Sequence, residues 1–547
     1  MAQPRNGARA GVLRATVRAT GRCAVALCVL LVAGGAGAAE AAERALPMSA
    51  AKIDALVART MRTFSVPGIA VGIVKDGRVV YAKGQGVQRV GESRPVDAET
   101  LFGIGSNTKA FTAAALAILV DAGLIRWDDR VIDYLPEFRL ADPYVTREFT
   151  IRDLLTHRSG LGLGAGDLLF VPRTDFTRAD IIRALRYLKP ASSFRSEFAY
   201  DNLLYMVAGE VAAAAARESW EDLVTSRILK PLQMAACAVT TERLPSIANV
   251  ASPHVLADGA PTPVPLLDLP TVGPAGSILC NVSGMVRWVA MQLARGHTAD
   301  GQQIFSAAQG EEMWTPQTIV HPGGTRAALT RTHFAAYGLG WGLEDFNGYK
   351  RVSHSGGLPG MVTHVSLIPE LSLGVIVLTN QQESAALGAI TMQILDAYTA
   401  APRRDWVALS SQIRAEGEAR MRATDAERAL PHSNDPLAPA EAGAFVGTYM
   451  DAWRGAAMVS EDHEKLVLTF SHTSGLTGPL EPVGADLFVV HWQDRTLDAD
   501  AYVLFSRDFT GRVDGFTMRA VSARTDFSYD FQDLDFKRSA TDAGTAY

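Results

Sequence analysis

Between Gly103 and Gly123 the chain reads GIGSNTKAFTAAALAILVDAG, and this stretch constrains the fold more than any other. An apolar helix is expected from Phe111 to Ala122, with Gly123 as its stop, and a helix of that composition belongs in a core. Ser106 and Lys109 stand at its entrance. Three positions apart on a helix, the two side chains share a face, so the amine can reach the hydroxyl. A serine hydroxyl is a weak nucleophile near neutral pH, and a lysine held unprotonated beside it can take its proton. Backbone N–H groups left free in the first helical turn are placed to hold a developing oxyanion. The pattern by itself is unspecific. Ser49-Ala50-Ala51-Lys52 repeats it and reads as the cap and first turn of an ordinary helix. Ser106 alone also fits an N-cap with a solvated lysine.

Two later stretches change the weighing. Phe198-Ala199-Tyr200-Asp201-Asn202 opens an apolar helix, where inward polar groups need partners. A tyrosine phenol held near a lysine ammonium is expected to lose its proton below its usual pKa and to act as base or relay. The Asn202 amide is suited to hold a substrate carbonyl or to orient the lysine. Capping by Asp201 or Asn202 around a packed tyrosine is the plainer reading. His354-Ser355-Gly356-Gly357 precedes a strand pair; its glycines allow close approach of a substrate to the backbone, and the Gly357 N–H is a second oxyanion donor. His354 is a candidate to orient substrate or bind a carboxylate.

Strands are expected at both ends of the first 400 residues, with helices between. Ile69 to Val74 and Val79 to Lys83 flank a tight turn at Asp76-Gly77. Thr363 to Ile368 and Leu373 to Thr379 meet at Pro369-Glu370, and alanine-rich helices occupy Leu203 to Ala216 and Val282 to Ala294. The arrangement is α+β: one antiparallel sheet flanked by helices, with a helical subdomain. Charged, alanine-rich helix formers from Arg403, ending at Pro431, Pro436 and Pro439, read as a linker. Short β segments such as Lys465 to Phe470, Leu487 to Trp492, Ala501 to Phe505 and Gly515 to Met518 then suggest a small all-β domain, a sandwich or an open barrel. The expected divisions are a leader over 1–38, a main domain over 46–400, a linker over 401–439 and a β domain over 440–537.

The leader carries Arg5 to Arg22, an apolar core from Cys23 to Ala33, and Ala36-Gly37-Ala38 as a cleavage signal. An uncleaved anchor is the alternative. Otherwise the expected location is periplasmic or secreted, with no membrane span left after cleavage. A net charge of −6 and the lack of any basic run give no footing for nucleic acid. With neither Cys-x-x-Cys nor His-Glu-x-x-His, no metal site or cofactor is expected. Cys237 and Cys280 are either a pair or two buried thiols; their spacing does not decide.

Taken in order, Ser-x-x-Lys, Tyr-x-Asn and His-x-Gly resemble the serine β-lactamase and penicillin-binding protein superfamily. Tyrosine in the second element is similar to the class C branch, which also holds esterases and D-amino-acid peptidases. Asp153-Leu-Leu-Thr-His157-Arg-Ser-Gly160-Leu161 and Gly273-Pro-Ala-Gly276-Ser277 support the same resemblance, which runs over about residues 48 to 400. The β-rich tail resembles the lipocalin-like module that follows many members. The resemblance implies a β-lactamase/transpeptidase-like fold and a serine hydrolase that acts through an acyl-enzyme on a small ester, amide or β-lactam carbonyl. Ser106, Lys109 and Tyr200 would be catalytic, with Asn202, His354, Gly356 and Gly357 in substrate and oxyanion binding. The alternatives are a D-peptidase on peptidoglycan-type peptides and a penicillin sensor without turnover. One departure stands out: β-lactamases of this branch carry Lys-Thr-Gly where this chain has His354-Ser355-Gly356. Histidine, mostly neutral near pH 7, replaces a permanent cation, which speaks against efficient β-lactam turnover.

Overall fold

A computed structural model of the chain describes residues 47–244, 249–257, 259–399, 401–430, 442–463 and 465–539. The expected leader and the three linker prolines lie outside those residues. The chain divides into two compact units, Met1–Ile53 and Asp54–Tyr547. The few described residues of the first unit open helix α1, Ala50–Phe64, whose start takes in Lys52 of the second Ser-x-x-Lys. Everything below concerns the second unit.

Its main sheet has eight strands: β1 (Gly68–Lys75), β2 (Arg78–Gly86), β3 (Thr318–Val320), β4 (Ala335–Tyr337), β5 (Gly342–Phe346), β6 (Tyr349–Leu358), β7 (Met361–Ile368) and β8 (Leu373–Thr379). They run antiparallel in the spatial order β2-β1-β8-β7-β6-β5-β4-β3. Early and late segments therefore meet at the β1–β8 seam, where Gly72 stands opposite Ile376. The first hairpin turns where expected, because Asp76 and Gly77 both take positive φ (51° and 73°), as a tight two-residue turn demands.

Strands β1 and β8 are buried along almost their whole length and are apolar up to their last residues, Lys75 and Thr379, as strands covered on both faces must be. Helix α4 (Val282–Leu293) lies on β1 and β8, and α5 (Ser384–Tyr398) on β8 and β7. Close packing of α4 depends on small residues in the sheet. A Cβ on Gly374 would sit 2.2 Å from Val289, and one on Gly72 would sit 2.6 Å from Val286. Helices α2 (Thr108–Asp121) and α3 (Leu203–Ala216) belong to the helical segment between β2 and β3 and pack on each other. Cys237 and Cys280 form a disulfide, so the alternative of two free thiols falls.

Helix α6 (Trp406–Arg428) leads out of the main domain. Its first residue, Trp406, is buried and donates to Asp396 at 2.6 Å, while Asp425 near its far end accepts from Ser522 and Ala523 of the C-terminal domain. That domain is a closed eight-stranded barrel of strands β9 (Gly447–Asp451), β10 (Gly455–Asp462), β11 (Lys465–Phe470), β12 (Thr473–Pro482), β13 (Leu487–Val490), β14 (Ala501–Arg507), β15 (Val513–Ala520) and β16 (Asp535–Arg538). The expectation of a sandwich or open barrel is corrected by β9 pairing with β16, which leaves no free edge. The interior is filled by rings, with Phe516 stacked on Phe536 at 4.5 Å and Phe505 against Phe488 at 5.6 Å. Barrel and main domain touch directly: Asp530 accepts from the Gly166 and Leu168 amides at 2.7 and 3.0 Å, and His472 pairs with Asp175 at 2.6 Å. No helix among the described residues is long and apolar enough to cross a membrane.

Candidate active site

Ser106 is set by a strand, a left-handed glycine and a short turn. Phe102–Gly103 pairs with Leu279–Cys280, and Ile104 donates to Ile278 at 2.9 Å. Gly105 then takes φ +52°, and Gly105–Asn107 forms one 3-10 turn before α2 begins at Thr108. Ser106 therefore lies just outside the α-helix and not in its first turn. A side chain at Gly105 would meet the Gly357 nitrogen at 2.8 Å, and one at Gly356 would meet the Ile104 carbonyl oxygen at 1.9 Å. The two glycines thus bring β6 against the serine turn. The sequence placed His354–Gly357 ahead of a strand pair, and the structure puts it in a strand of its own. The motif lies within β6, where Gly356 pairs with Thr363 and Gly357 with Val362 of β7.

Lys109, on the second residue of α2, is wholly buried. Its Nζ donates to Asn202 Oδ1 at 2.7 Å and to the Ala275 carbonyl at 3.0 Å, and lies 3.1 Å from Ser106 Oγ. Three partners fix the amine in one place. Burial draws its pKa from 10.5 down to about 7, against the pull of Asp167 and Asp201, so a large neutral fraction exists near neutral pH. The Gly273–Gly276 turn that supplies Ala275 is held to α2 by Thr112, which donates to Pro274 at 2.6 Å.

Tyr200 and Asn202 are positioned by the 153–164 stretch. Asp153 closes a capping box with Thr150 and binds Arg158 at 3.0 Å and Arg195 at 2.6 Å. From that hub the His157 carbonyl accepts from Ala199 at 2.9 Å, His157 Nδ1 accepts from the Asp201 amide at 3.1 Å, and Gly164 donates to the Tyr200 carbonyl at 2.9 Å. Asp201 caps α3, accepting from Leu204 at 3.0 Å. Asn202 is thereby released from capping. Its Oδ1 faces Lys109, and its Nδ2 donates to Asp167 at 2.7 Å. Both ends of the amide are spent inside the protein, so of the two roles read from sequence the geometry fits the orienting of lysine.

The expectation of a phenolate at Tyr200 is overturned. The Lys109 amine sits over the ring, 4.7 Å from its centroid, and not at the phenolic oxygen. Burial, with Tyr337 next, holds the phenol well above its ordinary pKa, opposed by a hydrogen bond with Ser106. It stays protonated. The role of carboxylate binder at His354 is also corrected. Its Nε2 accepts from Tyr337 at 2.8 Å and its Nδ1 donates to the Ser355 carbonyl at 2.6 Å, in a ring only 7% exposed. Burial and the nearby Lys109 bring its pKa to about 3, leaving a neutral imidazole that braces Tyr337.

Sequence reasoning missed Asp167, the Ala275 carbonyl, His157 as a clamp, and Tyr205 and Tyr337. His157 and Ala275 lie in stretches already singled out for their family resemblance. Asp167 follows Gly164 and Gly166, both at positive φ, and nothing in its local pattern tells a buried carboxylate from a turn residue.

A family model described as Beta-lactamase matches residues 53–399, well over half the chain, and a domain of unknown function (DUF3471) matches residues 431–538. The chain belongs to the beta-lactamase family. It is a serine hydrolase-type protein on the β-lactamase/transpeptidase-like fold, with penicillin-binding proteins and hydrolases among its relatives. The unguisins hydrolase ungD of Aspergillus violaceofuscus is 27% identical over 491 residues, 79% of this chain and 83% of the relative. The unguisins hydrolase ungD' of Aspergillus campestris is 28% identical, but the match spans only 60% of this chain and 61% of that protein. Penicillin-binding protein 4 of Amycolatopsis lactamdurans is 31% identical over 58% of this chain and 81% of its own length. Among solved structures, the octameric penicillin-binding protein homologue from Pyrococcus abyssi shares the fold with a TM-score of 0.58 at 23% identity, over 90% of this chain and 100% of that one.

Proposed function

We propose that this chain is a secreted serine hydrolase working through an acyl-enzyme on a small ester or amide carbonyl. One observation carries the reading: a wholly buried lysine amine, its pKa near 7, lies 3.1 Å from the Ser106 hydroxyl. Ser106 Oγ attacks the carbonyl carbon as its proton passes to neutral Lys109. The tetrahedral oxyanion is held by the N–H groups of Ser106 and Gly357, each such donor being worth about 10²–10³ in rate. When the C–N or C–O bond breaks, the leaving group takes up the proton that Lys109 accepted, while the protonated Tyr200 stays hydrogen-bonded at Ser106. Water then adds to the ester at Ser106, giving its proton to the lysine and restoring the serine.

The relatives named as hydrolases and as a penicillin-binding protein support an acyl-transfer substrate. The neutral, enclosed His354 speaks against strong recognition of a β-lactam carboxylate. The N-terminal leader read from sequence supports export.

The test is a fluorophosphonate or penicillin label followed by mass mapping, with a panel of short-chain esters, cephalosporins and D-Ala-D-Ala peptides for turnover. The adduct is expected on the Ser106 peptide, and Ser106→Ala should lose both label and hydrolysis while Ser49→Ala keeps them. A penicillin adduct at Ser106 with no steady-state turnover of any substrate would identify a sensor instead. Full hydrolysis by Ser106→Ala refutes the assignment.

A further inference from the structure

The interior of the C-terminal barrel holds packed aromatic rings, and one of its loops reaches the hydrolase site. Between β15 and β16, Phe527 sets its ring edge-on to Tyr200 at 6.0 Å, and Ser528, 8% exposed, donates to Asp167 Oδ2 at 2.9 Å. The same carboxylate oxygen accepts from Asn202, whose Oδ1 accepts from Lys109. Two residues further on, Asp530 pins the loop to the Gly166 and Leu168 amides on either side of Asp167. Gly164 has no Cβ because the Phe527 carbonyl would lie 2.7 Å from it. A hydrogen-bonded chain therefore runs from the barrel through Asp167 and Asn202 to the amine beside the nucleophile.

We propose that Ser528 is a positioning residue of the hydrolase site, contributed by the barrel: it holds Asp167, which holds Asn202, which holds Lys109 against Ser106. The barrel is thus a working part of the site in addition to an appended module. The proposal rests on the serine-hydrolase reading above and extends it.

The groups that face this chain fix the sign of the effect. Lys109 is approached by Asp167, Asp201, His157 and His354, and by the rings of Tyr200 and Tyr205. Asp167 is faced by Asp530, Asp201, Asn202 and Ser528; burial first, then the two neighbouring carboxylates, favour its protonated form, and the two hydrogen bonds oppose this. Asp530 in turn faces Asp533 and Arg454. Removing the Ser528 hydroxyl withdraws a donor to the carboxylate, so Asp167 holds its proton more strongly. The negative charge that steadies the Lys109 ammonium is then diminished, and the lysine loses its proton at lower pH.

The experiment is the pH profile of kcat/KM on a chromogenic short-chain ester for the full-length chain and its variants. Ser528→Ala is expected to move the acid limb to lower pH by about half a unit, and Asp167→Asn to move it further the same way. Ser528→Thr, which keeps the hydroxyl, should restore the wild-type limb, and Ser506→Ala on an exposed part of β14 should leave it alone. Should Ser528→Ala fail to fold, Ser528→Cys, a weaker donor of similar size, takes its place with the same expected direction. A merely structural contact would lower activity evenly at every pH. An unmoved limb in the Ser528 variant, a shift to higher pH, or no restoration by threonine overturns the proposal. Loss of labelling at Ser106 in the unaltered chain would instead remove the reading beneath it, and the two failures are told apart by that label.

Discussion

The burial of Lys109 makes a quantitative prediction about pH. A solvated lysine with a pKa of 10.5 is neutral in only about three molecules in ten thousand at pH 7. At a pKa of about 7 the neutral fraction is near one half, so burial enlarges the population able to accept the Ser106 proton by about 10³-fold. If that population limits the free enzyme, kcat/KM for a chromogenic ester should rise tenfold per pH unit below about pH 7 and level off above it. Lys109→Arg keeps the charge and donors but cannot lose its proton in the accessible range, so it should cost about 10²–10⁴ in kcat/KM and remove the limb. Initial rates at substrate well below KM, from about pH 5 to about pH 9, measure both. A profile flat over that range, a limb near the ordinary lysine pKa, or an arginine variant with wild-type activity would refute the reasoning.

Two further predictions concern the scaffold. The Cys237–Cys280 bridge spans 43 residues, and closing such a loop is worth about 4 kcal/mol by chain entropy, so replacing both cysteines with alanine should lower unfolding stability by about that much in denaturant titrations. Gly356 and Gly357 are neighbours with opposite tolerance. A methyl at Gly356 collides with Ile104, while one at Gly357 meets nothing within 4 Å, so Gly356→Ala should lower Tm strongly and Gly357→Ala should stay within about 0.5 kcal/mol of wild type. Equal Tm values for the two variants would contradict the close approach of β6 to the serine turn.

Much of the hydrolase scaffold was legible because its signals are local. The β1–β2 hairpin rests on a turn that two residues encode, and α2 and α3 are apolar runs with clear ends. Strands β3 to β6 went unread: β6 holds Ser353, His354, Ser355, Gly356 and Gly357, a composition that reads as a turn. It becomes a strand because β7 pairs with it from Val352 to Leu358, while β5 pairs only as far as Ser353. In the barrel, β12 carries Gly475, Gly478, Pro479 and Pro482 and has no strand signature, yet Gly478 is required where the His491 carbonyl would lie 2.1 Å from a Cβ. Pairing and close approach with distant residues decided these elements, and local propensity could not report them.

The chemistry divides along the same line. The candidate nucleophile Ser106, its lysine, Tyr200 and Asn202 were read from the sequence, because spacing on a helix and the order of motifs that carries the family resemblance are one-dimensional facts. Protonation and partnership came only with the fold. Whether Tyr200 is phenol or phenolate, whether His354 meets a ligand or Tyr337, and where Asn202 spends its amide all depend on which groups the packing places around them and how far it excludes water. Asp167 and Ser528, 361 residues apart, share a hydrogen bond that exists only because the barrel folds back onto the hydrolase domain. Electrostatics and hydrogen bonding act across space, so the state of the site is a property of the assembled structure.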